Sequence, residues 1–411
     1  MCKFLKIVIL YLYHLFIIFG FLFEIPIYGP LTTRRLSVLI GMIILLINKK
    51  NAAKVYSYFS KKKIGTYYAL FLFCALLSLF NVSFQTSMKN TYLEIWYFFY
   101  MILYILVFAV FLVVEFKDIE KLVYVYIGAF ALQFVIVLYG LLDNNFLIYI
   151  YENWYFGDDR FAETVSKGTR LMGIALNSSN GSITCSSACV LIAFAYITGR
   201  LNRFLFYLSY SMMMILTIFI GRTGALVELA LLVYIIMINF KLSNIFIIIG
   251  FIFCGVSIIT YLLGEVSPLA ADALSGWIMG AFDSESRSET INGIAAVVPS
   301  LSPEMIFGTG VMRGRADSGI VVGSDSGYVK FYGAIGVIGA FCYYLAYLKL
   351  FSLPMRKFVL RKLKFFFYFV IVLIYIIEYK EPFLMYYTLP CAFLTVLLFN
   401  EFYARKNINI E

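Results

Sequence analysis

The stretch Leu122–Leu142 reads LVYVYIGAFALQFVIVLYGLL, an apolar run with no charge and none of the alternation of a half-buried strand. About twenty such residues, coiled as a helix, match the ~30 Å hydrocarbon thickness of a bilayer. In lipid every backbone N–H and C=O must be bonded internally, so only helix bundles and closed barrels cross it. Continuous Leu/Ile/Phe/Val runs, rather than period-2 patterns, select helices.

Similar runs recur along the 411 residues. The chain is 63% hydrophobic, has a mean hydropathy of +0.90 and is only 14% charged, whereas soluble domains are nearer half apolar and a quarter charged. Twelve spans are expected: Phe4–Phe23, Leu36–Ile47, Ile64–Phe84, Thr91–Val114, Leu122–Leu142, Asn180–Ile197, Phe204–Ile220, Ala225–Phe240, Ile245–Leu263, Tyr328–Leu350, Phe365–Ile377 and Phe383–Phe399. The fold class is thus an all-α polytopic membrane bundle, one integral domain over 1–411. The first span lacks a following small-x-small cleavage site and is expected to remain as a helix.

With an even number of spans both termini share one side. That side collects 21 of the 33 Lys and Arg and 5 of the 23 acids, including the Lys61–Lys63 run. The positive-inside bias makes it cytoplasmic. The net charge of +10 is then explained by topology and anionic lipid, with no nucleic-acid partner implied. The seven cysteines lie in spans or at the terminus, so no disulfide is expected. Cys185 and Cys189 share a helix face, but no His or acid stands near them in sequence, which argues against a metal.

Two external connections are long, 143–179 and 264–327, and such loops are usually functional or disordered. The second is expected to hold two helices. Pro268–Phe282 is apolar around Trp277. The next opens on a capping box, Ser286 with Glu289, carries Ile291, Ile294, Ala295 and Val298 on one face and stops at Pro299. No internal repeat is evident, which disfavours an inverted-repeat transporter.

Eight arginines fall on the external side: Arg34, Arg35, Arg160, Arg170, Arg222, Arg287, Arg313 and Arg315. They oppose the positive-inside bias, and guanidinium grips phosphate or carboxylate with two parallel donors. Arg170 stands just before a span. Arg222-Thr223-Gly224 is read as the whole loop between two spans. Arg34, Arg35, Arg313 and Arg315 are read rather as snorkelling or paired with nearby acids.

Several motifs follow in order. Arg170, Gly173, Asn177 and Asn180 come first, then Arg222-Thr-Gly, Ser286-Arg287 and Gly308-Thr-Gly310. Asp325-Ser-Gly-Tyr328 leads into a span with Gly333, Gly336 and Gly339, and Lys380-Glu381-Pro382 closes the series. From about residue 170 to 382 the chain resembles bacterial O-antigen and capsular polysaccharide polymerases, the repeat-unit polymerases of the Wzy pathway. The resemblance implies a membrane glycosyltransferase acting at the outer face. Donor and acceptor would both be undecaprenyl-pyrophosphate-linked oligosaccharides. A chain-length regulator and a flippase are further candidate partners.

On that resemblance Arg170, Arg222 and Arg287 would neutralise the leaving pyrophosphate, with Lys380 as a fourth cation. Asp325 would be the base, with Glu381, Glu289 and Glu304 as alternatives. Asn177, Asn180 and Tyr328 would meet sugar. Each has a structural reading too: Asp325 as cap of the tenth span, Asn177 or Asn180 as cap of the sixth, Tyr328 as an interface anchor, Lys380 in a salt bridge. No cofactor is expected, and no metal. The first external loop, Glu24 to Arg35, has one acid, and the one histidine, His14, lies in a span. Asp158-Asp159 lacks a third ligand. An O-antigen ligase and a lipid-linked oligosaccharide flippase are the alternatives. The first is disfavoured by the lack of an external histidine, the second by the long loop and the nearly charge-free spans.

Overall fold

The computed structural model describes residues 2–28, 31–53, 56, 65–82, 98, 101–154, 173–174, 178–238, scattered positions between 246 and 265, 292–293, 298–312, 314–315, 321–322, 324–352 and 361–402. The chain is mostly helical. Among the described residues five helices are long and apolar enough to cross a membrane, and several shorter apolar ones accompany them. This is an all-α, multi-pass membrane protein.

Two compact units form, one from Met1–Ile40 with Asp118–Asp283, the other from Gly41–Lys117 with Ser284–Glu411. In the first unit α1 (Cys2–Phe23) leads through a small hairpin, β1 (Pro26–Tyr28) and β2 (Leu31–Thr32), to α2 (Thr33–Ile47), whose residues from Gly41 onward count with the second unit. Arg34 fastens that turn. It is buried, and its guanidinium donates to the Phe21 carbonyl at 2.8 Å, the Leu22 carbonyl at 3.2 Å and the Glu24 carboxylate. The last carbonyls of a helix lack intrahelical partners, and here a side chain from the next helix supplies them. The paired reading of Arg34 is therefore the one observed. Removing one partner of a buried pair costs about 3 kcal/mol or more. Arg34→Ala is expected to lower the thermal unfolding midpoint in detergent clearly, and an unchanged midpoint would contradict this role.

α5 (Ile119–Leu142) starts on an Asp118 cap that accepts from Glu120 N–H at 3.1 Å. It packs on α1, with the Phe23 and Phe130 rings 5.3 Å apart. Residues 143–179, expected as a loop, begin instead with a helix, α6 (Asn144–Trp154). Asp143 accepts from Asn145 N–H at 3.1 Å, Phe146 meets Tyr139 edge-on at 4.7 Å and Ile150 is buried. A cap and one apolar contact are enough to prolong helix there. α7 (Ser178–Ile197), α8 (Arg203–Ile220, capped by Asn202) and α9 (Arg222–Ile238) complete the unit. The Arg222-Thr223-Gly224 "loop" shrinks to Gly221: Arg222 already opens α9.

In the second unit lie α3 (Gly65–Val82), a π-helical turn (Ile102–Val107) running into α4 (Phe108–Phe116), α10 (Gly327–Ser352), α11 (Arg361–Ile377) and α12 (Thr388–Phe402). The last span begins later than expected, because Phe383–Met385 forms a 3₁₀ turn before α12. The described part of 264–327 contains another 3₁₀ turn, Pro303–Ile306, and a hairpin, β3 (Gly314–Arg315) with β4 (Val321–Val322). The helix expected over 268–282 and the start of the one at 286 lie outside the described residues. α10 is broken at Gly336, whose φ of 69° is left-handed. The 307–310 segment fills that break. Thr309 N–H donates to the Gly333 carbonyl and Gly310 N–H to the Ala334 carbonyl, both at 2.8 Å.

Candidate functional site

Each unit gathers part of the motif series. In the first, Gly173 is left-handed (φ 54°) and sits on α5, where Gln133 accepts from Ile174 N–H at 3.3 Å. Asn180 is buried in the first turn of α7 and does not cap it, since that helix starts at Ser178. Two residues on, Ser182 touches Gly224: a Cβ there would lie 2.7 Å from the Ser182 Cβ and carbonyl and from the Thr217 methyl. The start of α9, with Arg222 at its first position, is thus held directly against the start of α7. Arg170, Asn177, Arg287, Glu289 and Asp158-Asp159 lie outside the described residues, as does the side chain of Arg222.

The second unit joins Asp325-Ser326-Gly327-Tyr328 to Lys380-Glu381-Pro382. Gly327 N–H donates to the Glu378 carbonyl at 2.9 Å. The turn after α11 is closed by Lys380 N–H and Glu381 N–H, both donating to the Ile377 carbonyl, at 2.8 and 3.0 Å. Asp325 is exposed, and its carboxylate makes no hydrogen bond with a described residue, so it is not the cap of α10. Lys380 is exposed and in no ion pair with a described residue. The two turns that carry this carboxylate and this ammonium are joined by the Gly327–Glu378 backbone bond. The Tyr328 hydroxyl donates to the Tyr375 carbonyl at 2.7 Å, which places the ring in the packing between α10 and α11.

Sequence reading overlooked three charged groups. Glu378 is fully buried beneath the two turns. Tyr344 OH donates to one of its oxygens at 3.1 Å and Leu384 N–H to the other at 3.0 Å. A Cβ on Gly327 would stand 2.1 Å from the carboxyl oxygen, so a side chain there would displace it. Lys330, also buried, lies within its electrostatic reach. Burial pushes the Glu378 carboxyl up to about 8, while the Leu384 and Tyr344 hydrogen bonds and the Lys330 charge pull it back. Glu228 is the third, fully buried in α9 beside Cys185 and Cys189. The expectation of no acid near those thiols, and of nearly charge-free spans, is corrected accordingly. Its cause is geometric: Glu228 is 39 residues from Cys189, and only helix packing brings them together.

Glu378 has a consequence for stability. Between about 4.5 and about 8 it is protonated in the folded chain and ionised in the unfolded one. Folding then takes up a proton, so its contribution is fullest below 4.5, declines as pH rises towards about 8 and levels off above. Glu378→Gln is expected to flatten that decline in thermal unfolding measured across the window. An unchanged slope would show that Glu378 does not titrate there.

Among the described residues no group of three or more His, Cys, Asp or Glu side chains could hold a metal ion. No family model, no curated protein and no solved structure matches this chain.

Proposed function

We propose that the chain is a repeat-unit polymerase, a membrane glycosyltransferase that joins undecaprenyl-pyrophosphate-linked oligosaccharides at the outer face of the cytoplasmic membrane. In this reading twelve spans leave both termini in the cytoplasm and the two long connections outside. The donor's anomeric carbon is transferred to a hydroxyl of the acceptor sugar and the lipid pyrophosphate departs. Arg170, Arg222, Arg287 and Lys380 meet the developing phosphate charge, and Asp325 accepts the proton of the attacking hydroxyl. No metal is assigned a part.

One observation supports this most. Motifs far apart in sequence, Gly308-Thr-Gly310, Asp325 to Gly336 and Lys380-Glu381, meet in one unit, where the Asp325 carboxylate and the Lys380 ammonium are both exposed and neither is bonded to a described residue. Pure packing does not call for those two exposed groups on adjoining turns. Buried Lys330 within α10 is the observation that favours the transporter alternative, since flippases carry cations inside their spans, but the nearby Glu378 gives it a structural partner.

Deleting the gene is expected to collapse the polysaccharide ladder on a gel to a single repeat unit. Loss of even the one-unit product would favour the ligase or flippase.

A further inference from the structure

Glu228 stands apart from the glycosyl-transfer groups. It is completely buried on α9, packed against α7 and α8, and forms no ion pair with any described residue. Two hydroxyls reach its Oε1. Thr217 Oγ lies 2.7 Å away and Ser186 Oγ 3.5 Å away. Its Oε2 is buried with no hydrogen bond among the described residues.

Each hydroxyl has one proton and already faces a carbonyl. Thr217 Oγ is 2.9 Å from the Met213 carbonyl. Ser186 Oγ is 3.1 Å from the Ser182 carbonyl and 3.4 Å from the Gly224 carbonyl. Tyr210 spends its proton on the Glu228 backbone carbonyl at 2.7 Å. The other groups facing the carboxyl are the Cys185 and Cys189 thiols. An ionised carboxylate would take the Thr217 proton from Met213 and find beyond the two hydroxyls only the Cys189 thiol, a weak donor, in a place where a poorly partnered charge is costly. A carboxylic acid reverses the count. Its O–H donates to Thr217 Oγ at the usual O–H···O separation, and Thr217 donates on to Met213. The charge vanishes, and Oε2 is left as a neutral carbonyl oxygen, for which a missing donor costs far less than for a carboxylate.

We propose that Glu228 is an intramembrane proton-binding site, holding one proton as a carboxylic acid hydrogen-bonded to Thr217. The assignment is independent of the polymerase reading.

Infrared difference spectroscopy on the full-length protein in lipid tests it. Wild type minus Glu228→Gln at neutral pH is expected to show a carboxylic C=O stretch. Thr217→Val, which removes the acceptor and keeps the shape, is expected to retain that band at higher frequency. Adding Na⁺ should leave both spectra unchanged. A difference spectrum with carboxylate bands and no carboxylic band overturns the proposal. So do carboxylate bands that appear with Na⁺, which would make the site one for a metal cation. Should Glu228→Gln fail to insert, Thr217→Val against wild type with ¹³C-labelled glutamate decides alone: no shift of a carboxylic band overturns it.

Discussion

Gly336→Ala is expected to abolish recovery of folded protein. Gly336 breaks α10 with a φ of 69°, and Gly308 opposite it has a φ of 86°. A Cβ on Gly336 would stand 2.4 Å from the Ile306 carbonyl oxygen and 2.5 Å from Gly308 N. A Cβ on Gly308 would stand 2.3 Å from Gly336 N. All of these are backbone atoms, so no rotamer change relieves the overlap. Left-handed backbone costs an L-residue about 1–2 kcal/mol, and forcing atoms into a filled interior adds about 1–3 kcal/mol. Together these are a large share of the ~5–15 kcal/mol that separates folded from unfolded chains. The bonds from Thr309 and Gly310 to the α10 carbonyls would go with them. Gly308→Ala should be as severe. Gly65→Ala, at the start of α3 where a Cβ meets nothing within 4 Å, should be silent. The measure is monodisperse protein after detergent extraction, followed by thermal unfolding. A Gly336→Ala protein as stable as wild type would show that the close approach of the two segments is wrong.

The helical class was legible because lipid demands a long apolar run, and such runs survive averaging over composition. The same averaging hid Glu228 and Lys330. One charge in a window of Leu and Ile barely moves the mean, yet each is buried and engaged with groups on other helices. Glu378 was hidden differently: it directly precedes Tyr379-Lys380-Glu381, and a charged helix end looks solvated until its neighbours across the bundle are known. The break at Gly336 was half visible. The triad Gly333, Gly336 and Gly339 stands out as a motif, but the left-handed turn depends on what residues 307–310 place against it. α6 is hard to see in sequence because its apolar Phe146–Ile150 segment is too short to be a span, and the Asp143 cap takes effect only with the contact to Tyr139. Tyr328 shows the opposite case, a polar aromatic at a span entry whose hydroxyl is already engaged by Tyr375.

On the polymerase reading, Arg287→Lys should shorten the polysaccharide ladder drastically although the charge is kept. A guanidinium presents a planar fork that meets two phosphate oxygens at once, whereas an ammonium is a point charge. The sequence Ser286 to Glu289 has the spacing of a capping box, and the free N–H groups and dipole of a helix started there would favour an anion. Loss of one preorganised contact to a developing charge costs ~3 kcal/mol, about a hundredfold in rate. Arg170→Lys and Arg222→Lys should behave alike; Arg222 opens α9, where the same first-turn donors are available. Arg313→Lys and Arg315→Lys should be nearly silent, because this reading gives them no phosphate to grip and the exchange keeps their charge. Membrane insertion should be normal in all five, since none of the five falls inside an expected span. The readout is the chain-length distribution normalised to protein in the membrane. A full ladder at wild-type intensity from Arg287→Lys would make that arginine structural, and a uniform loss across all five would point to general surface charge rather than a pyrophosphate grip.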